Sequence, residues 1–148
     1  METLSGGVLF GLGIAAVYGI AGLVWYILQV VADWRILSKA GRPGWQSLIP
    51  ILNICAEYDV CWTGSMGIVY LVLLLAAGII GGLNDAGGFV QTVGRLSGAA
   101  GALVHVLQSF KLSRSFGHGI GFGIFLILFG PLARVILGLG RSRYCGRS

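Results

Sequence analysis

Three side chains sit in otherwise apolar stretches where they could do chemistry: Arg95, His105 and Arg134. A guanidinium or imidazole inside a hydrophobic run pairs with an acid, binds an anion or carries a proton, and such a residue within a membrane marks a functional site by default. Two plainer readings compete. Arg95, about two turns inside its run, can reach nearby headgroups along its aliphatic stem. A lone histidine such as His105 is usually a hydrogen-bonded interior residue. Nucleophilic catalysis has weaker support. Ser38 and Lys39 are adjacent, but neighbours on a helix point in different directions, so they do not make a serine–lysine dyad. The five acidic residues do not pair within any apolar run. Cys55, Cys61 and Cys145 are odd in number and lack Cys-x-x-Cys spacing, which supports neither a disulfide framework nor a zinc site, although one pair could bridge. The glycine-rich stretches at 81–88 and 117–123 lack the strand, lysine or acidic partner that a phosphate or dinucleotide loop needs. No catalytic residue, metal or cofactor is therefore expected, and the chain is read as a non-enzyme.

The elements that must position these residues are membrane helices. The chain has 148 residues, of which 56% are hydrophobic and 10% charged, and its mean hydropathy is +0.89. Soluble domains have roughly 45–50% apolar and about 25% charged residues. One integral membrane domain, 1–148, is the natural organisation, because no polar linker separates two units. The net charge of +5 raises the question of nucleic acid. Its basic residues instead stand at the ends of apolar runs, as anionic headgroups and the positive-inside rule select, so the expected partner is the bilayer and not nucleic acid. Met1-Glu2-Thr3 offers no basic n-region, and no small-residue cleavage site follows, so the first run reads as a retained span and not a signal peptide.

Hydropathy and breakers predict an all-α polytopic bundle with four transmembrane helices at about 8–31, 66–83, 89–110 and 120–139. An interfacial or re-entrant half-helix falls at about 45–62, where Pro50 breaks the pattern and Asn53, Glu57 and Asp59 make a full crossing expensive. On that half-helix Leu48, Ile51, Leu52, Cys55 and Trp62 share one face, with Gln46, Asn53 and Glu57 on the other. Gly7, Gly11, Ala15 and Gly19 form one small-residue stripe, and Gly94, Gly98 and Ala102 a second that offers the first a partner. Gly130-Pro131 predicts a kink within the last span. Arg35, Lys39 and Arg42 place the first loop in the cytoplasm and the N-terminus outside. Arg141, Arg143 and Arg147 then conflict with a four-span count, which puts the tail outside. Five transmembrane helices, with 45–62 crossing, would bring it back in.

Two sequence blocks carry a resemblance. Lys39-Ala40-Gly41-Arg42-Pro43-Gly44-Trp45, followed by Leu48-Ile49-Pro50-Ile51-Leu52-Asn53, resembles the KAG-(K/R)-PGW…IPIYN block of a family of small, uncharacterised bacterial multi-spanning proteins. Ser115-Phe116-Gly117-His118-Gly119-Ile120-Gly121-Phe122-Gly123 is similar to its SFGKG-x-GFG block, and Ile136-Leu137-Gly138-Leu139-Gly140 with Tyr144 to its closing ILGFGD…Y. A related segment forms the membrane-embedded N-terminal part of signal peptidase I in Bacteroidota. His118 stands where lysine is usual, Leu52 replaces tyrosine, Arg141 replaces an acid, and the interval from Asn53 to Phe116 is longer. The resemblance singles out Lys39, Gly41, Pro43, Trp45, Pro50, Asn53, Phe116, Gly117, Gly121 and Gly123 as motif residues of unknown role, and it supplies no activity. The expected function is a small membrane scaffold or accessory subunit that packs through glycine-rich faces against a larger membrane partner or itself. The alternative is an oligomeric transporter or channel for a small solute or ion.

Overall fold

A computed structural model describes residues 2–83 and 87–147, with side chains described from residue 7 onward. Residues 84–86 of the glycine-rich turn lie outside the described residues. The described fold is all-α, with six helices: α1 (Glu2–Lys39), α2 (Pro50–Cys61), α3 (Gly64–Gly82), α4 (Gly88–Ser115), α5 (Ile120–Leu128) and α6 (Gly130–Leu139). A 3-10 turn, Gly44–Leu48, leads into α2. Two of these helices, α1 and α3, are long and apolar enough to cross a membrane. The four or five crossings expected from hydropathy are therefore not all met by single helices of sufficient length and apolarity.

The 120–139 stretch departs most from expectation. It divides at Phe129 into α5 and α6, with Pro131 in the first turn of α6, where its missing N–H costs nothing. End to end, α5 and α6 would separate their outer ends by about 28 Å. Instead His118 Nε2 lies 2.8 Å from Ser142 Oγ, and the Cys145 amide donates to the Ser115 carbonyl at 2.7 Å. The stretch is thus a helical hairpin that leaves and returns to one end of the molecule. The expected kink is a reversal, because these contacts pull its two ends together.

The half-helix region has the same character. Arg42, before the 3-10 turn, forms an ion pair with Asp59 near the end of α2. Between them the chain climbs to Asn53, whose amide donates to Asp33 at 2.8 Å, and descends again. Pro50 opens α2 at a first-turn position rather than bending a longer helix. Its amphipathicity is inverted relative to a soluble protein: Ile51 is 62% exposed while Glu57 is 2% exposed. The charged Glu57 points inward and the apolar Ile51 outward.

The long helices meet at the same end. α3 leaves it and α4 returns antiparallel, with Gly94 against Ile80, Gly98 against Ala77 and Gly101 against Leu73. This corrects the expected pairing: the α4 stripe packs on α3, not on α1. α6 runs alongside the last third of α1, from Gln29, which donates to the Pro131 carbonyl at 3.2 Å, to Lys39, which donates to the carbonyls of Leu137 and Gly140 at 2.7 and 2.8 Å. The buried core gathers here, from Ile36 and Leu37 of α1 through Val60, Leu112, Phe116 and Leu126 to Ala133 and Leu137 of α6. By contrast, every residue of α1 from 7 to 28 is exposed.

Candidate functional site

The site begins with two acids that the chain cannot leave buried alone. Asp33, on the inward side of α1, is 5% exposed, and Glu57, on the inward face of α2, is 2% exposed. Glu57 Oε2 meets the Arg134 guanidinium of α6 at 3.1 Å. Asp33 Oδ2 accepts from Asn53 Nδ2, and Asn53 lies one helical turn before Glu57 on α2. Arg134 acts electrostatically on both carboxylates. Three separate elements therefore converge on one ionic cluster. A buried charge needs this company, since an isolated ion away from water costs several kcal/mol or more.

Beside the cluster runs an aromatic ladder. Tyr58 of α2 stacks on Tyr70 of α3 at 5.4 Å, and Tyr70 stacks on His105 of α4 at 6.0 Å. His105 also borders a hollow of about 240 Å³ between α3 and α4, with Leu74, Ala77, Ser97 and Gly98. Of the three intramembrane candidates, Arg134 joins the ionic cluster and His105 the adjacent ladder. Arg95 does neither. It is exposed on α4, in a cleft of about 400 Å³ with Ile80, Gln91 and Gly94. Ten residues before His105, it stands about 15 Å along the helix from the ladder.

The motif residues divide by structural task. Gly41 and Gly117 have φ of +73° and +71° and end α1 and α4 in the same way. Arg42 N–H donates to Leu37 C=O and His118 N–H to Ser113 C=O, both at 2.9 Å, the six-residue closure of a Schellman cap. Lys39 caps the C-terminal carbonyls of α6, where a cation suits the helix dipole. Pro43 precedes the 3-10 turn with φ of −65°, and Trp45 lies within that turn, half exposed. Phe116 is buried edge-on to Tyr144 at 5.5 Å. Gly123 lies against the Phe110 ring, whereas Gly121 is exposed with no neighbour at its Cβ position. Asn53 alone of the motif residues enters the ionic cluster.

Residues 45–147 match DUF5684, a family of unknown function. The chain belongs to this family. The match takes in α2 to α6 and the second motif block, and leaves α1 and its Schellman glycine outside. The DUF5684 region thus supplies Asn53, Glu57 and Arg134, while Asp33 comes from the preceding helix. Comparison with curated proteins and with solved structures yields no match.

In the sequence Asn53 and Glu57 share one helical face, but neither Glu57 nor Asp33 stands out there as a site residue. A signal for Glu57 was present in the Asn53/Glu57 spacing of four on an otherwise apolar half-helix. Asp33 carried no such signal, because its partner is 20 residues away. Cys61 is buried at the base of α2, and burial pushes its thiol up to about 12, which disfavours the thiolate; Cys145 is exposed.

Proposed function

We propose that this protein is a small integral membrane subunit that seats the free part of α1 against a helix of another membrane-embedded chain, in a scaffold or accessory role. The observation that carries the reading is the condition of α1. From 7 to 28 every residue is exposed among the described residues, and a Cβ at Gly7, Gly11 or Gly19 would find no heavy atom within 4 Å. Small-residue stripes of this spacing earn their place where another backbone approaches. The equivalent glycines of α4 already have α3.

The membrane placement that goes with this role has α1, α3 and α4 crossing and the two short hairpins dipping in from one side. α4 is more polar than the others, and its inward residues Gln108 and Ser109 are sheltered by the bundle. That arrangement gathers Arg35, Lys39, Arg42, Lys111, Arg114, Arg141, Arg143 and Arg147 at one end, which the positive-inside rule assigns to the cytoplasm. The N-terminus then lies outside and the tail inside. Lys111 over the Trp62 ring at 5.2 Å, with Trp34 and Trp45 exposed nearby in the fold, suits an interfacial belt at that end. A peptidase role has no support from Lys39, whose ammonium is engaged by two carbonyls.

Substitution along the free stripe tests the role. In mild detergent, wild-type protein should elute as an assembly, with itself or with a stable companion, and Gly11→Leu with Ala15→Leu should release the single chain. The same variant should leave the chain's unfolding free energy within about 0.5 kcal/mol of wild type, since both positions are exposed among the described residues. A wild-type protein that is solitary in mild detergent and in native lipid discs would rule the role out.

A second reading, passage of a small ion, draws on the ionic cluster held between two half-height hairpins. Broken helices and short hairpins near the bilayer midplane are an attested way to present charge to ions. Flux into liposomes that disappears in Arg134→Met, with assembly unchanged, would favour it over the scaffold.

A further inference from the structure

We propose that the Asp33–Asn53–Glu57 cluster binds one monovalent alkali cation between α1, α2 and α6. The cluster holds two carboxylates and one guanidinium, so with both acids ionised one negative charge has no counter-charge in a buried place. It also holds acceptor oxygens with no donor. Asp33 Oδ1 and Glu57 Oε1 are buried without a hydrogen-bond partner, and so is Asn53 Oδ1, whose amide nitrogen is already committed to Asp33. Asn53 and Glu57 stand one turn apart on the same inward face, and Asp33 is tied to the first of them and acts electrostatically on the second. Their second oxygens are therefore three acceptors of one cluster that have no donor.

The donor set decides the class of ligand. It consists of oxygens only, which suits a hard cation rather than a soft transition metal. Among the described residues no group of three or more His, Cys, Asp or Glu side chains is placed to hold a metal ion, so the cluster offers two carboxylates and one amide oxygen. A single positive charge neutralises the cluster, whereas a divalent ion would overshoot it. A proton would also neutralise it, but one proton bridges two oxygens and leaves the third unmatched. An alkali ion can take all three.

The test uses the full chain in non-denaturing detergent at fixed pH and fixed ionic strength. The unfolding midpoint is measured in sodium, potassium or lithium chloride against choline chloride, and radioactive sodium and rubidium binding is counted directly. The expected result is a saturable rise in the midpoint with at least one alkali ion, one ion bound per chain, and loss of both in Asp33→Asn. Should Asp33→Asn not fold, Asn53→Leu serves, with the same loss expected. Identical midpoints in all four salts with no counted ion would overturn the proposal. So would a saturable effect that survives in the folded variant, or a neutralisation that follows pH alone.

Discussion

Gly138→Leu should abolish the native packing of α6 on α1, with loss of about 3 kcal/mol or more of stability, at or beyond the upper end of ordinary overpacking. A Cβ at position 138 would lie 2.5 Å from the Ala32 carbonyl oxygen and 2.8 Å from its Cα. Both atoms are main chain, so no side-chain rotation can relieve the clash. The helices would have to part. Around this crossing Ala32, Ile36, Leu37, Ala133 and Leu137 are completely buried, and separating α6 would uncover them together. It would also withdraw Arg134 from Glu57 and the carbonyls of Leu137 and Gly140 from Lys39. Gly138→Ala should show the same defect in milder form. Near-ultraviolet circular dichroism and a thermal melt in detergent would read both, and a leucine variant that melts with wild type would show that α6 does not pack there.

Arg134→Met should be the most damaging change in the ionic cluster, at about 3 kcal/mol, the cost of leaving a buried charge without its partner. Removing the guanidinium leaves two carboxylates, Asp33 and Glu57, facing each other in a buried place. Glu57→Gln is expected to cost less, because Asp33 remains to balance Arg134. The double variant, Glu57→Gln with Arg134→Met, should recover part of the loss suffered by Arg134→Met alone. A double-mutant cycle measured from unfolding midpoints isolates that coupling, and a strictly additive cycle would show that the pair is not coupled.

Much of this was legible from local sequence. Apolar composition and glycine spacing gave the helices and the close packing of α4, although the partner of that stripe is α3. The proline-marked stretch near Asn53 is a short helix of its own, Pro50–Cys61, as Pro50 and the polar residues that follow it suggest. The reversal at Phe129 was not legible. A continuous apolar run from 120 to 139 has the same hydropathy whether it crosses or doubles back, and Gly130-Pro131 announces a break without fixing its angle. His118 meeting Ser142, and Cys145 meeting Ser115, set that angle, and neither contact has a local signature. Asp33 is similar: at the end of an apolar helix it looks like an interfacial acid, and only the fold brings Asn53 to it.

The proposed topology has one decisive consequence, because the reversal returns the tail to the end where α1 finishes. Cys145 is exposed at that end, and Ser38, on the last turn of α1, is exposed as well. A membrane-impermeant maleimide applied to intact cells, and then to inverted vesicles, reports the side of Cys145 and of a thiol introduced by Ser38→Cys. Both thiols should be silent in intact cells and labelled in inverted vesicles, with buried Cys61 silent until the protein is denatured. Labelling of Cys145 and position 38 from opposite sides would contradict the proposed arrangement.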